Sequence, residues 1–422
     1  MKTLLKNGNI VDFSTKFNKK ADVLIEDGII KEIGSIEESA DEIIDCTDLY
    51  VMPGMVDMHC HLRDPGFEYK EDIASGVNSA VKGGWTSIAC MPNTKPVIDT
   101  VETIKYVIDK AKKQNKANVF PIACITKNQE GKEVVDMKAL KSAGAVAFSD
   151  DGKPVVSAYV MKQGMIKAYE NNAAIISHCE EITLGAGSIN DGEVSKKFNL
   201  YGVPREAEEI MVAREIVLAE ANNIWVHIAH ISTKGSAQLI REAKKRGVKV
   251  TCETCPHYFT LTDEFTEGKN TNAKMNPPLR TAEDRRAIIE AIKDGTVDAI
   301  ATDHAPHSVD EKNVPIDKAP NGIIGFETAL KLSITNLVDK GHIDYMKLVE
   351  LISYNPSKIL NINRGKLEKG SIADITVFDP NYHGVYTEES IVSKSKNSPY
   401  IGMDLKGEVV YTIVDGNVVY KR

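Results

Sequence analysis

The sequence has no long apolar run. Nothing in it approaches the roughly 20 residues that a helix needs to cross a bilayer. The start, Met1-Lys2-Thr3-Leu4-Leu5-Lys6-Asn7-Gly8, breaks off too early to read as a secretory leader, so a cytoplasmic protein is the expectation. Basic residues do not predominate either: 52 Lys plus Arg stand against 60 Asp plus Glu, a formal charge of −8. A nucleic-acid partner would call for a basic stripe, and none is present. Cysteine is sparse and odd in number, seven in the whole chain, which excludes a disulfide framework and points to reduced thiols. What remains is ordinary for a globular protein. With 42% hydrophobic residues over 422 positions, the chain can build two or three units, or one barrel with an appendage.

Both ends of the chain read as β structure. Asn7-Gly8 and Asp27-Gly28 are hairpin turn signals; the run Ala21 to Glu26 leads into the second and Ile29 to Ile33 leads out of it. Ala373 to Phe378 and the hairpin-like stretch Val409 to Tyr420 repeat this texture. The expectation is one composite β-sandwich domain assembled from residues 1–52 and 361–422.

Between them, residues 53–360 alternate short apolar runs with amphipathic helical segments. Runs begin near Val56, Thr86, Asn118, Ala145, Ala174, Ile224, Val248 and Val297; helices are expected near Val101 to Lys112, Pro204 to Ala221 and Thr281 to Lys293. Eight alternations over roughly 250 to 300 residues favour a (β/α)8 TIM barrel over an open, doubly wound sheet.

A barrel of this kind carries its chemistry at the C-terminal ends of the strands. Polar residues fall at those points. The first run ends in His59 and His61, which period-two geometry puts on one side of a strand, as a metal ion requires. Later runs end at Asn93, at Asp150-Asp151, at His178, at His227 and His230, at Glu253 to His257, and at Asp303 to His307. Most of the ten histidines lie at such ends. Once the barrel is granted, His178 and His230 become candidate ligands, whereas the spacing of His227 turns it away from His230 into a structural role. Asp303 closes an apolar strand and needs a positive partner, because burying a lone carboxylate costs several kcal/mol. Of the adjacent pair Asp150 and Asp151, one can face the barrel axis, and Asp151 is chosen. Arg63 and Arg280 are candidates to fork onto a substrate carboxylate. Asn276, in a proline-stiffened loop, could bond a ring amide. Cys252 and Cys255, a single Cys-x-x-Cys, carry no metal or redox assignment.

Taken together, Asp57-Met58-His59-Cys60-His61-Leu62-Arg63-Asp64-Pro65-Gly66, Met91-Pro92-Asn93-Thr94, Phe148-Ser149-Asp150-Asp151-Gly152, Asn276-Pro277-Pro278-Leu279-Arg280 and Ala301-Thr302-Asp303-His304-Ala305-Pro306-His307 resemble the dihydroorotase family of the amidohydrolase superfamily, in its longer bacterial form. The resemblance spans essentially the whole chain. It implies a zinc enzyme of pyrimidine synthesis that interconverts N-carbamoyl-L-aspartate and L-dihydroorotate, small molecules bound without nucleic acid or membrane. By motif, His59, His61 and Asp303 would hold one zinc and His178 with His230 a second, with Asp151 bridging them where many relatives use a carboxylated lysine. A metal-bridging hydroxide would attack, and Asp303 would act as general base and then acid. His61, Arg63, Asn93, Asn276, His307, Asn321 and Gly322 would receive the substrate. The family often has an aromatic residue where Asn321 stands, so there the main chain is the expected contact. A homodimer, and association with aspartate carbamoyltransferase, are also implied. The polar, proline-interrupted segment from Ser308 to Pro320 is expected to be a mobile loop at the mouth. Hydantoinases, dihydropyrimidinases and allantoinases share the barrel and the histidines, and a non-catalytic scaffold is the rival of another class. The aspartates of strand four and the Arg63 cation favour dihydroorotase.

Overall fold

Eight short parallel strands form a barrel in chain order. They are Met55–Cys60, Trp85–Cys90, Asn118–Pro121, Ala147–Phe148, Ala174–Ser177, Val226–Ile228, Val250–Thr254 and Ala299–Ile300, in a computed structural model that describes residues 2–422. The first three pair as one sheet and the last five as another. Parallel bridges join the two sheets, Ala123 to Phe148 on one side and Cys60 to His304 on the other, and these close the ring. At the second seam His61 N–H donates to His304 C=O (2.8 Å) and Asp303 N–H donates to His59 C=O (3.0 Å). Strand one and strand eight therefore meet where their chemical residues begin.

Alternation along the strands sorts the core into two layers. Ala89, Ile176 and Ala301 join Val56 and Met58 in an inner cluster, whereas Ile88, Ile175 and Ile300 pack outward against the helices. The helix Val101–Lys112 shows how the outer layer is made. The Thr100 side chain accepts the Thr103 N–H and starts the helix, and Ile104, Val107 and Ala111 repeat at helical spacing to bury one face. Fully burying Ile104 and Val107 contributes about 1.5–3 kcal/mol each. The helices Glu206–Asn222 and Ala282–Lys293 cover later strands in the same way.

The chain ends build a second, sandwich-like β unit. Its strands run in the order Asn417–Lys421, Asp404–Val414, Ile375–Val385, Tyr50–Pro53, Lys2–Asp12, Phe17–Glu26 and Ile29–Gly34, with Glu42–Asp45 also paired to Lys2–Asp12. Tyr50–Pro53 is the joint, antiparallel to Ile375–Phe378 with Val51 opposite Val377. Its core draws Leu5, Ile10 and Val23 from one end and Ile375, Val377 and Ile413 from the other. All seven cysteines are buried and free. Among the described residues no helix is long and apolar enough to cross a membrane.

Candidate active site

The strand ends bring four imidazoles and two carboxylates to one point at the C-terminal mouth of the barrel. His61 Nε2 lies 3.1 Å from Asp303 Oδ1 and 3.5 Å from Asp151 Oδ2. His59 Nε2 lies 3.4 Å from Asp151 Oδ1 and 3.6 Å from Asp303 Oδ1. Opposite them His178 Nδ1 and His230 Nε2 are 2.8 Å apart and stand 3.6 and 3.7 Å from Asp151 Oδ1. Asp151 thus sits between two pairs of histidines. Its neighbour Asp150 turns the other way and accepts from the Ile125 and Thr126 N–H groups and the Thr126 hydroxyl.

The cluster fits a divalent cation. Donor atoms of His59, His61 and Asp303 lie within 4.8 Å of one another, as do those of His59, Asp151 and His230. His59 Nε2, turned into the cluster, is buried without a hydrogen-bond partner, and a buried nitrogen of that kind calls for an explanation. Imidazole and carboxylate donors suit zinc and its neighbours. Burial alone would push the Asp151 and Asp303 carboxyls up, yet the imidazoles around them hold both well below the usual carboxylate range. Conversely, Asp151 and Glu180 outweigh burial at His178 and drive its imidazole up to about 10. A divalent cation would satisfy the same attraction more fully than shared protons do.

The far nitrogen of three of these rings is held by a second residue. His59 Nδ1 is 2.6 Å from Glu253 Oε1, His61 Nδ1 is 2.9 Å from Asn93 Oδ1, and His178 Nε2 is 3.0 Å from Glu180 Oε2. Such partners fix ring orientation and tautomer at metal sites. In the sequence Glu253 and Glu180 mark strand ends without an assigned role; the signal for Glu253 is a carboxylate within the buried strand Val250–Thr254. The backbone is strained at the same place. Arg63, His230 and Asp303 have φ of 60°, 32° and 46°, a left-handed region that non-glycine residues rarely adopt.

Beside the cluster opens a cavity of about 190 Å³, lined by His61, Arg63, Asn93, Asp151, His178, His230, Asn276, Asp303, His307, Asn321 and Gly322 among others. Arg63 Nε donates to Pro306 C=O (3.2 Å) and its NH2 lies 3.2 Å from His307 Nε2. Among the described residues no carboxylate forms an ion pair with this half-buried guanidinium, which lines the cavity. Burial, with Arg63, Lys312 and Lys70 nearby, pulls the His307 imidazole far below its ordinary range and keeps it neutral. Asn276 Nδ2 donates to Glu180 (3.0 Å). Gly66, at φ 95°, admits the neighbouring loop: a Cβ there would meet Lys95 C=O at 2.0 Å.

Arg280 comes out differently from its expected role, and two neighbouring features were not foreseen. Arg280 lies outside the cavity; it is buried and donates to Asn190, Val203 C=O and Ser232. His304 turns from the mouth to stack on Phe326, ring centroids 4.0 Å apart, near Glu71. The segment after Ser308 holds the short helix Val309–Lys312 and carries hydrogen bonds from two buried lysines. Lys274 Nζ donates to Ile316 and Ala319 C=O, and Lys312 Nζ to Thr271 and Pro320 C=O. Polar composition concealed these anchors, because a buried lysine and a solvated one look alike in a sequence. A larger cavity, about 720 Å³, opens at the N-terminal ends of the strands between Tyr169, Trp225 and Lys358. It has no comparable donor cluster among the described residues, so the chemistry is assigned to the smaller one.

Residues 49–236 match the family model described as Dihydro-orotase-like. A protein named Dihydroorotase from Acetivibrio thermocellus is 56% identical over 421 residues, covering 99% of each chain. This chain belongs to the dihydroorotase family. Another dihydroorotase, from Ruminiclostridium cellulolyticum, is 53% identical over 424 residues, covering all of this chain and 99% of its own. Among solved structures, L-hydantoinase (dihydropyrimidinase) from Arthrobacter aurescens superimposes with a TM-score of 0.90 at 26% identity, over 99% of this chain and 96% of that one. A dihydroorotase-family chain on this barrel is a hydrolase of the cyclic amidohydrolase type.

Proposed function

We propose that the chain interconverts L-dihydroorotate and N-carbamoyl-L-aspartate, with zinc held by the mouth cluster. The observation that carries the reading is the unpaired Arg63 guanidinium lining the same small cavity as Asp151, Asp303 and the histidines. A half-buried cation with no ion-paired carboxylate among the described residues suits a substrate that brings its own, and arginine can take it with two parallel hydrogen bonds. An uncharged hydantoin or dihydrouracil ring would leave that charge unmatched, which costs several kcal/mol.

His59, His61 and Asp303 would hold one ion and His178 and His230 a second, with Asp151 shared. When bound, the metal polarises the ring carbonyl and lowers the pKa of attacking water towards about 7. Asp303 takes the proton released as water adds to the carbonyl carbon. It returns that proton to the ring nitrogen as the carbon–nitrogen bond breaks. In the synthetic direction Asp303 accepts the proton of the attacking carbamoyl nitrogen. Arg63 and His307 hold the substrate carboxylate, while Asn276 and the Asn321 main chain orient the ring.

Purified protein supplied with zinc is assayed on L-dihydroorotate, with hydantoin, dihydrouracil and allantoin alongside and Asp303→Asn as control. Opening of dihydroorotate that vanishes in the control supports the reading. Activity confined to an uncharged ring moves the chain to a sister activity, and inactivity on all four with metal bound overturns catalysis.

A further inference from the structure

Between the strands Ile375–Val385 and Asp404–Val414 the terminal β unit sends an excursion back to the barrel mouth. Asn397 lies on it, buried, and its side chain touches both segments that carry the carboxylate-binding edge. Nδ2 donates to Ala305 C=O (3.1 Å) and to Gly322 C=O (3.0 Å), and Oδ1 accepts the His307 N–H (3.1 Å). Its own C=O accepts the Ile324 N–H (3.1 Å). Both amide hydrogens are used and the oxygen is engaged, so no other side chain of that length could replace all three bonds.

The two tied segments are in intimate contact. Ala305 N–H donates to Ile323 C=O (2.7 Å), and Gly322, at φ 129°, approaches so closely that a Cβ would meet the Ala305 Cβ at 2.6 Å. The Asp303 end of the strand-eight loop is held by barrel strand one, through Asp303 N–H to His59 C=O and His61 N–H to His304 C=O. Among the described residues no such strand lies beside the His307 end. Its N–H goes to Asn397, and its ring stands between Arg63 and the Asn321 C=O (2.9 Å).

We propose that Asn397 is a positioning residue for substrate: its amide locks Ala305–His307 to Gly322, so that Arg63, His307 and the Asn321 main chain meet the carboxylate at fixed spacing. The assignment rests on the reading of a carboxylate-bearing substrate given above. Asn397 touches no reacting atom. Its loss therefore weakens binding while the Asp303 side of the site, held by strand one, keeps its rate.

The test compares the wild type with Asn397→Ala, with Asn397→Asp, which keeps the size and loses both N–H donors, and with Tyr400→Phe. Tyr400 lies on the same excursion and bonds Thr260 (2.9 Å), away from the cavity. KM for L-dihydroorotate is expected to rise about tenfold or more in both Asn397 variants with kcat within about threefold, and to stay put in Tyr400→Phe. Amide hydrogen exchange at His307, read without substrate, is expected to speed up about tenfold or more in Asn397→Ala and not in Tyr400→Phe. An unchanged KM, or a KM rise shared by Tyr400→Phe, overturns the positioning role, and so does unchanged exchange at His307. Should the wild type not turn over L-dihydroorotate, the proposed substrate falls, and His307 exchange alone decides whether Asn397 holds this edge.

Discussion

Glu253 Oε1 lies 2.6 Å from His59 Nδ1, and both side chains are wholly buried inside the barrel. Burial would raise the Glu253 carboxyl, but His59 and His227 outweigh it and bring it to about 2. The carboxylate accepts the Nδ1 proton and so fixes the His59 ring with Nε2 turned towards Asp151 and Asp303. Replacing Glu253 by Gln keeps the volume and removes the charge. Metal affinity, measured by competition with a chelator, is expected to fall about 10- to 100-fold. Unaltered affinity would show that Glu253 serves packing alone.

Arg63 is the test of the substrate's charge. Arg63→Met is expected to raise KM for L-dihydroorotate roughly 100-fold, the scale of losing one partner of a buried, hydrogen-bonded charge pair. Arg63→Lys keeps the charge but not the fork and should recover only part of that loss. Steady-state kinetics on the charged and uncharged rings measure this. An equal loss on hydantoin and dihydroorotate would detach Arg63 from the carboxylate.

Asp303→Asn preserves shape but cannot shuttle a proton. Its kcat is expected to drop about 10²- to 10⁴-fold, the range of general acid–base catalysis. Binding of the substrate, followed by calorimetry, should change far less. A variant that retains most of its kcat removes Asp303 from the proton path.

A stability prediction comes from the β unit. Asp374 is buried; its Oδ1 accepts the Asp415 N–H, while its Oδ2, 3.4 Å from Arg364 Nε, makes no hydrogen bond. Burial, only partly offset by Arg364, holds this carboxyl up at about 6 against an ordinary 3.8. The folded chain thus binds the proton more tightly than the unfolded one between those values. Stability from this group is present below about pH 4 and is lost as pH rises through about 6. Asp374→Asn should accordingly be more stable than the wild type at pH 8, by up to about 3 kcal/mol. The gap should close near pH 4 in denaturant titrations at the two pH values, and a gap that widens on acidification would contradict the sign.

The placement of the strands was open to reading because the physics is local. Apolar runs of strand length alternate with segments of helical period, and each marked run became a barrel strand within a few residues of its expected start. The end-of-strand rule then gathered His59, His61, His178, His230 and Asp303 from across the chain. Adjacent residues were harder. Only the loop geometry that gives Asp150 to Thr126 and Asp151 to the cavity separates the two aspartates. Arg63 and Arg280 are both candidate forks by sequence, yet one lines the cavity and the other is spent on Asn190 and Val203. The Val51 to Val377 pairing, the Glu253 hold on His59 and the three bonds of Asn397 join residues far apart in the chain. The sequence by itself determined the elements and the barrel and set the candidate donors at strand ends, since periodicity and strand ends are written in neighbouring positions. Which side chain faces the cavity, and which distant residue holds it there, was decided only by the tertiary structure, because hydrogen bonds and burial depend on what the fold brings near.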